Sequence, residues 1–167
     1  NLGTLYYVQG DLDKALDYFK RSLAIVEELG CKYEIGQSLS GIGIVYYDKG
    51  DYNTALEYLE KSFAIQKEIG VGTDELLATT TSLYLTYKHL GKDYNEQEIN
   101  KLINEVEKIE YGSNYLLYEL LEDKSYLDKA NIQVRQKEDA MDDELKEKFL
   151  NYPIPKQIIE EYNKVFS

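Results

Sequence analysis

Gly10-Asp-Leu-Asp-Lys-Ala-Leu-Asp-Tyr-Phe-Lys-Arg-Ser-Leu-Ala-Ile-Val-Glu-Glu-Leu-Gly30 is followed forty residues later by Gly50-Asp-Tyr-Asn-Thr-Ala-Leu-Glu-Tyr-Leu-Glu-Lys-Ser-Phe-Ala-Ile-Gln-Lys-Glu-Ile-Gly70, with ten of 21 positions identical. Ala15, Leu16, Phe19, Leu23, Ile25 and Val26 in the first copy fall at spacings of three and four, the stripe of an amphipathic helix. Ala55, Leu56, Leu59, Phe63, Ile65 and Ile69 repeat the stripe. Gly-Asp before each stripe predicts a turn and a helix start, and Gly30 and Gly70 stand where a terminal glycine stops a helix.

The preceding segment repeats too, since 41–51 (GIGIVYYDKGD) matches 1–11 (NLGTLYYVQGD). Ile35, Leu39, Ile42 and Tyr46 form its stripe. Each unit is therefore predicted to be a pair of antiparallel helices joined by a tight glycine turn. Such a pair cannot bury both apolar faces alone, and stacking the next pair completes the core, at roughly 1.5–3 kcal/mol per large side chain buried. Gly3, Gly43, Ala15 and Ala55 are predicted to mark close helix crossings.

The pattern Leu2-Gly3, Tyr6, Gly10, Ala15, Phe19, repeated as Ile42-Gly43, Tyr46, Gly50, Ala55, Leu59, resembles the tetratricopeptide repeat, in a variety spaced by about forty residues. The resemblance implies an all-α fold, a right-handed superhelical stack of helix pairs. We divide it into a partial repeat over 1–31, a repeat over 32–71, degenerate repeats over 72–111 and 112–141, and closing helices over 142–167. In the third unit Tyr84 replaces the small glycine, and in the fourth Tyr118 does. In the last segment one helix is expected to stop near Leu150 and another to start at Pro155. The segment is similar to those closing repeat arrays in large microbial signalling proteins. By alignment with Ser40 onward the chain opens in mid-helix and reads as a fragment of something longer, and the resemblance of its closing segment implies the C-terminal part of a larger, cytoplasmic signalling or regulatory protein.

Charge and composition narrow the function classes. A formal charge of −12 repels phosphate backbones, so nucleic acid is not expected as a partner. No apolar run approaches the roughly 20 residues of a membrane span. One cysteine, Cys31, allows no internal disulfide and suits a reducing compartment. His89 is the sole histidine, which leaves no Cys/His metal site, and no cofactor is expected. Glu138-Asp139 and Asp142-Asp143-Glu144 lack the spacing of a calcium loop and read as a solvated face. The 17 tyrosines recur mostly at core spacing, which argues against a platform for bases.

The concave side of stacked helix pairs forms a trough. With Leu39, Ile42 and Tyr46 turned inward, Gln37, Ser40, Ile44 and Tyr47 are predicted to face it, joined by Asp48. Thr4 and Tyr7 are the equivalents in the first unit; Ala78, Thr81, Leu85, Lys88 and His89 are those in the third. The resemblance implies recognition of a peptide or helical segment of another protein, without chemistry. Repeat domains that clamp chaperone carboxylates carry Lys, Arg and Asn on these faces, whereas this chain has Ser40, Gly41, Ile44, Asp48, Thr81 and Leu85. A mixed apolar or basic segment fits better. Two alternatives stand beside this reading: an all-helical hydrolase or lyase with paired carboxylates in a cleft, and self-association through the N-terminal edge at Leu2 and Tyr6.

Overall fold

A computed structural model describes residues 2–167, and every element among them is helical. The helices are α1 (Leu2–Val8), α2 (Leu12–Leu29), α3 (Lys32–Asp48), α4 (Tyr52–Ile69), α5 (Thr73–His89), α6 (Glu96–Glu105), α7 (Tyr111–Leu121), α8 (Lys124–Asp139), α9 (Asp143–Leu150) and α10 (Pro153–Phe166). The chain divides into two compact units, one of residues up to Tyr7 with Asp11–Glu107, the other of Val8–Gly10 with Lys108–Ser167.

In the first unit the turn chemistry repeats as the sequence does. The Asp11 and Asp51 carboxylates accept hydrogen bonds from the backbone N–H of Lys14 and Thr54, each at 3.1 Å, and so cap α2 and α4. Gly30 and Gly70 close the same helices at φ 70° and 67°, in the left-handed region that glycine enters without strain.

Packing follows the small residues. A Cβ on Gly3 would lie 2.7 Å from the Phe19 ring, and one on Gly41 would lie 2.6 Å from it. Phe19 of α2 thus occupies space that α1 and α3 leave open. One repeat later, a Cβ on Gly43 would meet Leu59 Cγ at 2.6 Å. Ala15, Ile42, Val45, Ala55 and Leu59 are fully buried around these contacts. Polar contacts add to this packing: within the second pair the buried Ser62 hydroxyl donates to the Gly36 carbonyl (2.7 Å), and between successive pairs the Ser40 and Thr79 hydroxyls of α3 and α5 meet at 3.1 Å.

The third pair departs from this plan at Tyr84. Its ring fills the place of the helix-crossing glycine, packs against Tyr87 and Tyr94, and its hydroxyl donates to Glu98. With that ring in the crossing, α6 begins only at Glu96 and spans ten residues against 18 in α2 and α4. Helix α5 is buried from Thr79 to Thr86. Its Thr80, Thr81, Ser82 and Thr86 hydroxyls turn back onto the carbonyls of Leu76, Leu77, Ala78 and Ser82 at 2.7–3.1 Å.

The second unit packs α7 on α8 and α10 across α8, around Leu127, Ala130, Val134, Phe149 and Ile158. Tyr118 is half-buried there and donates to Glu161 at 3.0 Å. Helix α10 starts at Pro153, two residues before the expected Pro155. Both prolines fit in the first turn, where backbone N–H groups have no intrahelical acceptor.

Candidate functional site

Helices α1, α3 and α5 of the first unit, the leading helix of each pair, surround a concavity of about 330 Å3. Thr4 and Tyr7 come from α1, Gln37, Ser40 and Ile44 from α3, and Ala78 from α5. These are six of the residues that the stripe analysis assigns to the trough. Gly41 exposes part of the Phe19 ring between α1 and α3, which gives the concavity an aromatic floor.

One end is acidic and amide-rich. Gln66 of α4 is 1% exposed; its Nε2 donates to Glu75 Oε1 at 3.4 Å, and its Oε1 has no hydrogen-bond partner. Burying an amide oxygen without a donor costs about 1–3 kcal/mol. Glu75 also accepts from the Tyr33 hydroxyl, whose pKa is raised chiefly by that bond. Tyr33 in turn accepts from Gln37 Nε2 at 2.8 Å. At α1 the Tyr7 hydroxyl bonds Asp48. Desolvation raises the Asp48 pKa, and the Tyr7 bond offsets part of the shift. Of these two carboxylates only Glu75 lines the concavity; the predicted Asp48 lies outside the lining, bonded to the lining residue Tyr7.

Other predicted trough residues lie elsewhere. Thr81 and Leu85 are buried, at 0% and 2% exposure, and face no trough. They align with Ser40 and Ile44, but α5 has no exposed face between Thr79 and Thr86, and the concavity meets that helix one turn earlier, at Glu75, Ala78 and Thr79. Tyr47 and His89 pair with each other: His89 Nε2 is 3.0 Å from the Tyr47 hydroxyl, and its ring stacks on Tyr52 with centroids 4.4 Å apart. Lys88 is exposed. Gln66, Glu75 and Thr79 line the concavity without having been predicted to face it. The signal for Gln66 was present, since it stands where the first copy has Val26 in the apolar stripe.

The acidic residues near the C-terminal end have structural work. Asp142 caps α9 through Leu145 N–H at 2.9 Å, while Glu138 and Glu144 pair with Arg135 and Lys148. Among the described residues no group of His, Cys, Asp and Glu is placed to hold a metal ion, and no Asp or Glu is buried. Nothing in the structure therefore supports the facing carboxylates that a hydrolase or lyase reading needs. Among the described residues no helix is long and apolar enough to cross a membrane.

Residues 1–68 match the family model of the tetratricopeptide repeat. No curated protein and no solved structure matches the chain.

Proposed function

We propose that this chain, a tetratricopeptide repeat protein over residues 1–68, binds a segment of another protein in the concavity between α1, α3 and α5. Repeats of this family generally mediate protein–protein interaction. The observation that carries the proposal is the lining itself. Three successive leading helices contribute Tyr7, Gln37, Ser40, Ile44 and Ala78 to one apolar concavity, with Glu75 in its lining.

The bound segment presents an apolar side chain to Phe19 and Ile44 and a basic group to Glu75. The net charge of −12 favours encounter with such a segment. Cys31 is a free thiol, which suits a reducing setting such as the cytoplasm.

Selection from a displayed library of random peptides on the full chain tests this. Enriched peptides should combine an apolar residue with Lys or Arg. They should lose binding to Ile44→Arg and to Glu75→Lys while both variants keep their helical circular dichroism. Peptides that bind both variants as tightly as the parent would refute the groove assignment.

A further inference from the structure

A second concavity, of about 490 Å3, opens on the first unit between α4, α5 and the loop before α6. Phe63, Tyr84, Tyr87 and Tyr94 line it, with the carboxylates of Glu60 and Asp93. The rings form a file: Tyr87 to Tyr84 at 5.9 Å between centroids, then Tyr84 to Tyr94 at 5.2 Å. Aromatic faces beside carboxylates attract organic cations, because the ring quadrupole and the anion act in the same sense.

The chain's own repeat supplies the comparison. Between the first and second pairs, Lys20 of α2 lies over the Tyr46 ring at 5.2 Å and donates to its hydroxyl at 2.8 Å. Each of these residues stands at a fixed place in its unit: Lys20 is ten residues after Gly10, and Tyr46 four before Gly50. Ten residues after Gly50 the chain has Glu60, and four before Gly91 it has Tyr87. The contact is kept with the charge reversed, for Tyr87 donates its hydroxyl to Glu60 at 2.9 Å. The cation that covers the tyrosine in one interface has become a carboxylate in the next.

The cations nearby do not replace it. Lys92 reaches the Tyr87 ring only at 5.9 Å, the outer limit of a cation–π contact, and its side chain is exposed. Lys67 lies over Phe63 at 5.0 Å but is held by Glu98 at 2.8 Å. No cation pairs with Glu60 or Asp93 among the described residues.

We propose that this concavity receives an arginine side chain of a partner protein, stacked on Tyr87 and paired with Glu60 and Asp93. A guanidinium suits it better than an ammonium, because the planar group stacks on a ring while its edge donates two hydrogen bonds to a carboxylate. The site is distinct from the trough, with no lining residue in common, and the two readings stand or fall separately.

The test uses the full chain with carbon-13 in its tyrosine rings, titrated with N-acetyl-arginine N-methylamide. The neutral citrulline analogue, equal in shape, is the control. We expect saturable shifts at Tyr87 and Tyr94 with arginine and none with citrulline. Glu60→Lys restores in cis the arrangement of Lys20 over Tyr46, so it should fold and lose the arginine response. Glu60→Gln keeps an acceptor for Tyr87 and should bind about tenfold more weakly, equivalent to about 1.4 kcal/mol. Equal shifts with citrulline, unsaturable shifts with arginine, or an undiminished response in either variant would overturn the proposal.

Discussion

Gly43 in α3 is the sharpest test of the packing. A Cβ there would stand 2.6 Å from Leu59 Cγ, 2.9 Å from Cδ2 and 3.2 Å from the Leu59 backbone nitrogen. Leu59 is fully buried, so its side chain has no solvent to swing into, and the backbone contact is untouched by any rotamer change. Gly43→Ala gains about 1 kcal/mol of helix propensity but incurs about 1–3 kcal/mol of overpacking. The net expectation is a loss of about 1 kcal/mol. Gly36 in the same helix is the control. A Cβ there would meet Gln66 Cγ at 3.4 Å and Ile65 Cγ2 at 3.6 Å, ordinary van der Waals contacts. Gly36→Ala should therefore stabilise by about 0.5–1 kcal/mol. The two variants should differ by about 2 kcal/mol, a gap of roughly 4–8 °C in melting temperature for a chain of this size. Thermal melts followed by circular dichroism measure the gap, and native-state hydrogen exchange at α3 amides locates it. If Gly43→Ala proves as stabilising as Gly36→Ala, the close crossing of α3 and α4 is wrong.

Capping and titration give two further expectations. Asp51→Ala removes the acceptor for Thr54 N–H and should cost about 0.5–2 kcal/mol, read from urea midpoints at constant slope. Tyr87 has its pKa raised to about 12, first by desolvation and then by its bond to Glu60. Folding favours its neutral form, so this contribution is complete below the free tyrosine pKa of about 10 and is lost as pH rises towards about 12. Melting temperatures should fall across that window, and Tyr87→Phe should flatten the fall. Parallel curves for the two proteins would show that Tyr87 is not linked to alkaline unfolding.

Most of the helical frame was readable in the chain because the same constraints are written twice. Gly10 and Gly50 turn, Asp11 and Asp51 cap, and Gly3 and Gly43 make room for Phe19 and Leu59. In α1 and α3 the periodicity picks out Thr4, Tyr7, Gln37, Ser40 and Ile44, which line the concavity, and also Tyr47 and Asp48, which do not. It failed in α5, because a stripe argument assumes one wet face, and Thr79–Thr86 has none. Threonine hides the difference in sequence: polar by composition, it is satisfied inside by its own helix carbonyls. Gln66 and Glu60 were legible only as exceptions, a polar residue for Val26 and an acid for Lys20, and an exception acquires meaning once its neighbours are known. The division near Glu107 leaves no composition break for a sequence argument to find.

The threonine-rich interior of α5 bears on how the first unit assembles. β-Branched residues lose side-chain freedom in a helix, and hydroxyls offer the backbone competing partners. Excised as a peptide, Thr73–His89 should be a coil, for burial beside its neighbours, α3, α4 and α6 among them, repays that cost. A unit whose central segment is helical on loan from its neighbours cannot lengthen or shorten one hairpin at a time. It melts as a block, and transplanting the third hairpin alone into another scaffold should yield an unstructured graft.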